Sequence, residues 1–148
     1  MKTRLTRKQT MYKTILVTLE GSPTDRVIVE HIKRLAKLMQ SHVVLLHVVT
    51  SAPAKYHGAL AAGKKLEESE ADLARVAAEF HVLGVRADVE LAYGEPVKEI
   101  VNWVRRNGCD LVAMSTHGHR FVADLVLGTT AISVQHSVSV PVLLLRAR

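Results

Sequence analysis

The sequence predicts an α/β fold, a five-stranded parallel, open and twisted sheet with helices on both faces. Short apolar runs alternate along the chain with segments of helical periodicity, in the order β-α-β-α-β-α-β-α-β. Helical crossovers between such strands imply a parallel sheet. Apolar residues make up 48% of the chain and aromatic residues only 4%, so aliphatic side chains must build the core, as is usual between a parallel sheet and its helices.

The positive charge is concentrated at the N-terminus. The formal net charge is +6, and it falls to +2 without the four basic residues Lys2, Arg4, Arg7 and Lys8. We therefore expect residues 1–11 to form a solvated, flexible tail, with Met11 as an alternative start, and residues 12–148 to form a single domain. A domain charge near +2 gives no reason to expect nucleic acid as a partner.

Other features of the composition indicate a cytoplasmic protein with no membrane partner. No apolar run approaches the roughly 18 residues that a membrane span needs, and no signal-peptide core is found near the N-terminus. Cys109 is the only cysteine, so an internal disulfide is impossible.

The first part of the chain predicts two strands with a helix between them. Residues 13–19 form a mostly apolar strand, which turn formers at 20–25 end. Ser22 precedes Pro23, and this pair predicts an N-cap followed by the first helical residue. Apolar residues at helical spacing then predict a helix over 23–40. Residues 43–49 predict the second buried strand.

The middle of the chain predicts a looser segment, a helix and an edge strand. Residues 50–63 contain a proline and two glycines, and such segments near strand ends are often mobile. Residues 64–83 are rich in helix formers, and Gly84 is a natural stop. Residues 85–93 alternate between apolar and polar, as a half-exposed edge strand does.

The last part of the chain predicts two helices and two strands. Residues 94–96 open a helix that Asn107 and Gly108 close. Residues 111–114 predict a buried strand, and the last helix runs from about 129 to 137. Residues 140–145 predict a final apolar strand. If this strand lies at an edge of the sheet, it can pair with other chains unless it is covered.

The stretch after the fourth strand has the form of an anion-binding loop. A strand, glycines and a helix start are how α/β proteins present backbone N–H groups to an anion. Here Ser115, Thr116, His117 and Gly118 follow the strand, and nine residues later come Gly128, Thr129 and Thr130. No lysine precedes Thr129, so this is not a P-loop, and the dinucleotide glycine pattern is absent. By its chemistry alone the stretch also fits an ordinary loop.

Open sheets of this kind bind ligands beyond the carboxyl ends of their strands, at the topological switch point. The ends of the first, second and fourth strands are then expected to face one crevice. That placement would bring together Thr18, Leu19, Glu20, Val48 and the stretch 114–118.

From Tyr12 to Arg146 the chain resembles the universal stress proteins of the single-domain type. The segment Ile15-Leu-Val-Thr-Leu-Glu-Gly-Ser is similar to the family's Ile-Leu-Val-Ala-x-Asp-Gly-Ser. The family's nucleotide signature, Gly-x-x-Gly-x9-Gly-Ser/Thr, is matched from Ser115 to Thr129, with Ser115 in place of the first glycine. The resemblance implies a Rossmann-like fold of the adenine nucleotide alpha hydrolase type.

The resemblance also implies a ligand and its binding residues. The ligand is ATP, with AMP or ADP as alternatives, bound at the ends of strands one, two and four. Glu20 corresponds to the acid that contacts adenosine, usually Asp, and Val48 to the strand-two backbone that meets adenine. The residues that correspond to the loop around ribose and phosphates are Met114, Ser115, Gly118, Gly128, Thr129 and Thr130.

Several side chains have both a binding and a plainer interpretation. Arg120 suits a phosphate because guanidinium binds in a bidentate manner, but it also fits an exposed position. His117 and His119 can polarise a phosphate or make ordinary polar contacts. Mg²⁺ is a candidate cofactor within reach of Asp124, which also fits a helix surface. Gly118 and Gly128 also fit plain turns, and Glu20 also fits a solvated loop.

No catalytic set is found in the sequence. There is no nucleophile–base–acid series, and the eight histidines form no metal-ligand pattern. We therefore expect a binding protein, for which slow hydrolysis of bound ATP would need no dedicated residues. One hypothesis is a nucleotide-binding stress or signalling module, and the other is a ligand-free dimeric interaction protein of the same fold. The resemblance implies a homodimer through the last strand, from Val140 to Leu145.

Overall fold

The computed structural model describes residues 10–50, 52–116 and 129–147, with the backbone alone at 52–62, 64 and 65. The first nine residues of the predicted tail and the predicted loop at 117–128 lie outside the described residues. Strands and helices alternate along the described chain: β1 Thr14–Leu19, α1 Asp25–Met39, β2 His42–Val49, α2 Ala52–Val82, β3 Ala87–Tyr93, α3 Pro96–Asn107, β4 Leu111–Thr116, α4 Thr129–Ser137 and β5 Val142–Arg146.

The five strands form one parallel sheet in the spatial order β3-β2-β1-β4-β5. The chain first builds outward from β1 to β3, then crosses to the other side of β1 to add β4 and β5. The switch point therefore lies between β1 and β4. This architecture confirms the predicted α/β fold, with β3 at one edge and β5 at the other.

Helices cover both faces of the sheet, each over its own apolar layer. Successive strand residues point to opposite faces, so Ile15 of β1 lies under α1 and α2, whereas Leu16 lies under α3 and α4. Phe80 of α2 is fully buried in the first layer. Trp103 of α3 and Val134 of α4 belong to the second.

The first helix begins later than predicted, and the predicted cap at Ser22 is wrong. Helix α1 starts at Asp25, and the Asp25 N–H donates to the Ser22 carbonyl at 3.0 Å within the preceding turn. The Ser22 hydroxyl pairs with that of Thr24 at 2.6 Å instead of capping a helix amide. The reason is that the Asp25 carboxylate organises this turn, as described below.

The second helix begins at Ala52, twelve residues before the predicted start at residue 64, and Ala52–Val82 is helical throughout. Pro53 lies in the first helical turn, where its missing N–H costs no hydrogen bond. The two glycines in residues 52–63 each cost about 1 kcal/mol relative to alanine, and the five alanines of that segment favour the helix. The prediction of a looser segment was therefore wrong.

Three strand boundaries also differ by two residues, and the first is the start of β3 at Ala87 instead of residue 85. Strand β4 continues to Thr116, because Ser115 and Thr116 pair with Leu145 and Arg146. Strand β5 begins at Val142 instead of Val140. Pro141 has no N–H for a ladder and contributes only its carbonyl, which accepts from the Val112 N–H at 3.0 Å.

Candidate functional site

The central strands β1 and β4 separate at their carboxyl ends. Among the described residues, their register runs from Ile15–Leu111 to Val17–Ala113. By contrast, β1 stays paired with β2 as far as Leu19, and β4 with β5 as far as Thr116. A crevice therefore opens between β1 and β4 at the switch point, where open α/β sheets bind ligands.

Three of the predicted site residues share one face at this edge of the sheet. Val48 and Met114 belong to the layer under α3 and α4, and alternation places Thr18 on the same face. Thr18 is only 9% exposed, and its hydroxyl bonds to no described residue. The face therefore combines apolar surface with one buried hydroxyl, the usual composition of a small-molecule site.

Two other predicted residues belong to the opposite face. Leu19 lies in the layer under α1 and α2. The half-buried Ser115 also turns to that face, since it follows Met114 in β4. Within the predicted grouping, the side chains of Met114 and Ser115 therefore diverge to opposite faces of the sheet.

The turn after β1 is organised by Asp25, which the sequence argument did not select. Its Oδ1 accepts the N–H of Glu20 at 2.9 Å. Its Oδ2 accepts the N–H of Gly21 at 2.8 Å and that of Ser22 at 3.2 Å. Glu20 itself is exposed at the rim.

Asp25 is a buried carboxylate, only 9% exposed. Burial raises its pKa above the ordinary value of 3.8, because removal from water disfavours the charged form. The three backbone hydrogen bonds, and the nearby His47, act in the opposite direction. The carboxylate is therefore held in place by hydrogen bonds in spite of an unfavourable environment.

His47 of β2 holds the other side of the same turn. Its Nδ1 lies 2.8 Å from the Leu19 carbonyl oxygen. A carbonyl only accepts, so Nδ1 carries the proton and donates. The ring also lies close to Gly21, since a Cβ at that position would be 3.4 Å from Cε1.

The sequence did contain signals for both residues. Asp25 is an acid in the first turn of a helix that follows a glycine turn, a position that suits capping of orphan amides. His47 is a polar residue in an otherwise apolar strand, and a polar group at such a position needs a partner.

The predicted phosphate side of the site is described only from Thr129 onward. Helix α4 begins with the exposed Thr129 and the half-buried Thr130, and Ala131 and Val134 anchor it on the sheet. Its first turn contains no acid, whereas α1 has Asp25 and α3 is capped by Glu95. The predicted residues Gly118, His119, Arg120 and Gly128 lie outside the described residues, as do His117 and Asp124.

Two further observations limit the chemistry of the described part of the chain. No three His, Cys, Asp or Glu side chains there come together as metal ligands. Burial raises the pKa of the Cys109 thiol to about 11, so it is not a nucleophile at neutral pH.

No helix within the described ranges has the length and apolar character to cross a membrane.

A family model described as the universal stress protein family matches residues 11–146. The chain belongs to this family. Universal stress protein MJ0577 of Methanocaldococcus jannaschii is 26% identical over 157 residues, covering 93% of this chain and 97% of that protein. A solved structure of MJ0577 matches the fold with a TM-score of 0.82, covering 93% of this chain and 98% of that one.

Two solved structures of universal stress proteins contain adenine nucleotides. One is a complex with cAMP, with a TM-score of 0.68 and 15% identity over 93% of this chain and 98% of that one. The other, from Archaeoglobus fulgidus, is a complex with dAMP, with a TM-score of 0.61 and 17% identity over 90% and 98%. At these identities the likeness shows the shared fold.

Proposed function

We propose that this universal stress protein binds an adenine nucleotide in the crevice between β1 and β4, as a stress-response or signalling module of the cytoplasm. ATP is the proposed ligand, with AMP or ADP as alternatives. The observation that carries the proposal is the early end of the β1–β4 register at Val17–Ala113. The cAMP and dAMP complexes of other universal stress proteins support adenine as the base.

In this proposal adenosine lies against the face formed by Thr18, Val48 and Met114. The two apolar side chains contact the base, and the buried Thr18 hydroxyl offers a hydrogen bond that no described residue uses. Glu20, exposed at the rim, accepts from the ribose hydroxyls. Leu19 and Ser115 contribute backbone, since their side chains belong to the other face.

The phosphates are proposed to lie at the start of α4. Thr129 and Thr130 stand at a helix start with no acid in its first turn, where the helix dipole favours an anion. Gly118, His119, Arg120 and Gly128 are the proposed loop partners, and Mg²⁺ is the proposed counter-ion of ATP.

The first test is ultraviolet absorbance of the purified protein after acid release, which detects co-purified nucleotide. The second is calorimetric titration with Mg-ATP. We expect Gly128→Val to weaken ATP at least tenfold, about 1.4 kcal/mol, because its side chain would occupy the proposed phosphate position.

Gly63→Val is the matched control, since a Cβ at Gly63 in α2 meets nothing within 4 Å. It should leave ATP affinity unchanged. Absence of binding at millimolar nucleotide in the wild type would overturn the proposal and favour the ligand-free interaction protein.

We also propose that β5 pairs with β5 of a second chain to form a homodimer. β5 is an edge strand of half-buried apolar residues. The Pro141 carbonyl and the Ala147 N–H both bond to β4. Alternation then turns the N–H groups of Val142 and Leu144 outward, toward an incoming strand.

Leu144→Pro tests the homodimer, since it removes an outward N–H that the β4–β5 ladder does not use. We expect this variant to sediment as a monomer at micromolar concentration and the wild type as a dimer. Leu144→Ala, which shortens the side chain but keeps the N–H, should remain dimeric. A monomeric wild type would refute the proposed dimer.

A further inference from the structure

The turn between β1 and α1 has the geometry of an anion-binding site. The N–H groups of Glu20, Gly21 and Ser22 converge on one point. Gly21 has a φ of +80°, and successive amides around such a left-handed residue form an anion-binding concavity. Helix α1 begins at Asp25, directly behind the turn, and adds the partial positive charge of its N-terminus.

This concavity is filled by the protein itself. The Asp25 carboxylate lies 2.9, 2.8 and 3.2 Å from the three amide nitrogens, and the residue is 9% exposed. Both of its oxygens accept, so they stand where two oxygens of a bound phosphate would stand. No external anion can use these amides while Asp25 is in place.

We propose that Asp25 is a built-in anion that closes the β1–α1 turn to phosphate and thereby directs the phosphates of a bound nucleotide to α4. The second part of this inference rests on the proposed function. Helices α1 and α4 both begin at the carboxyl edge beside the crevice, and α4 has no acid in its first turn. Asp25 is thus a positioning residue for the ligand, not a contact to it.

The turn is also held from its other side. The His47 Nδ1–H donates to the Leu19 carbonyl at 2.8 Å, and its ring lies against Gly21. Strand pairing between Leu19 and His47 fixes the same point. The concavity should therefore keep its shape when the carboxylate is removed, so that a small anion can replace it.

The experiment is anion rescue of Asp25→Ala. Melting temperatures are measured with inorganic phosphate or sulfate against chloride at equal ionic strength. We expect phosphate or sulfate to raise the melting temperature of Asp25→Ala by roughly 3 °C or more beyond the wild-type response, with saturation at millimolar anion. A purely structural role for Asp25 would give destabilisation without rescue.

Two further variants make the test specific. Asp25→Asn fills the concavity with a neutral group of the same shape and should show no rescue. Asp72→Ala removes an acid from the exposed surface of α2 and should respond as the wild type does. Rescue in Asp72→Ala, or no rescue in Asp25→Ala, would overturn the inference. A variant Asp25→Ala that folds only with phosphate or sulfate would support it, and one that stays unfolded even with phosphate or sulfate would overturn it.

Calorimetry with Mg-ATP separates this inference from the proposed function. Anion rescue in a protein that binds no ATP would support the inference about the β1–α1 turn and contradict the proposed function. ATP binding by the wild type without anion rescue of Asp25→Ala would support the proposed function and contradict the role inferred for Asp25.

Discussion

Two connections at the carboxyl edge of the sheet, β1–α1 and β4–α4, both lead from a central strand into a helix, but of these two helices only α1 has an acid in its first turn. The first has five residues and ends on the buried carboxylate of Asp25. The second has twelve residues and enters α4, whose first turn has no acid. Helix α3 resembles α1, since the Glu95 side chain accepts the N–H groups of Val97 and Lys98. Within the described residues, a side-chain carboxylate thus lies at the starts of α1 and α3, whereas the first turn of α4 supplies none.

The largest expected effect is the loss of stability when a buried carboxylate is removed, compared with the loss when an exposed one is removed. Asp25→Ala leaves three amides without their acceptor in a buried turn and should lower the free energy of unfolding by about 3 kcal/mol. Glu95→Ala removes the exposed N-cap of α3 and should cost about 1 kcal/mol. Chemical denaturation of both variants checks this. Equal losses would show that burial of Asp25 has no special weight.

The pH dependence of stability should have opposite signs at two acids of α1. The pKa of Asp25 is raised in the folded protein, so its contribution to stability should fall as pH rises above about 3.8. The hydrogen bond from Lys33 lowers the pKa of Glu30, so that acid should lose its contribution as pH falls below about 4.5.

Unfolding free energies of wild type, Asp25→Asn and Glu30→Gln between pH 3 and 7 give the two differences. The free energy of unfolding of the wild type minus that of Asp25→Asn should decrease as pH rises. The corresponding difference between the wild type and Glu30→Gln should increase as pH rises. Parallel trends in the two comparisons would contradict the environments described for these carboxylates.

The smallest expected effect concerns Ser115, the residue in place of the first glycine of the family signature. Ser115→Gly should tighten ATP binding if the side chain crowds the ribose, and weaken it if the hydroxyl donates to the ribose. The structure turns this side chain to the face opposite Thr18 and Met114. We therefore expect titration with Mg-ATP to show a change of no more than about threefold.

The fold could be predicted from the sequence because its signals are local and repeated. Alternating apolar runs and helical stripes are sufficient for strand and helix order, and the half-polar pattern of residues 85–93 placed β3 at an edge. The errors came where one residue outweighed the pattern. Pro53 suggested a loop but lies in the first turn of a helix. Ser22 suggested a helix cap, but α1 has no side-chain cap, and the N–H of Ser22 instead donates to Asp25.

The site was harder to predict because its geometry depends on contacts between distant residues. The sequence placed Glu20 at the end of β1, but the carboxylate that shapes this turn comes from Asp25, five residues later. His47 meets Leu19 only because β1 and β2 pair in register. The family signature gave candidate residues in 117–128, but backbone spacing alone did not reveal that the Met114 and Ser115 side chains diverge.

The most direct measurement for the central claim is a crystal structure of the protein with ATP. We predict adenosine beside Thr18, Val48 and Met114, phosphate oxygens within hydrogen-bonding distance of the first amides of α4, and Asp25 still bound to the amides of Glu20, Gly21 and Ser22. Phosphates in the β1–α1 turn with Asp25 displaced, or a crevice that takes up no nucleotide at millimolar ATP, would contradict it.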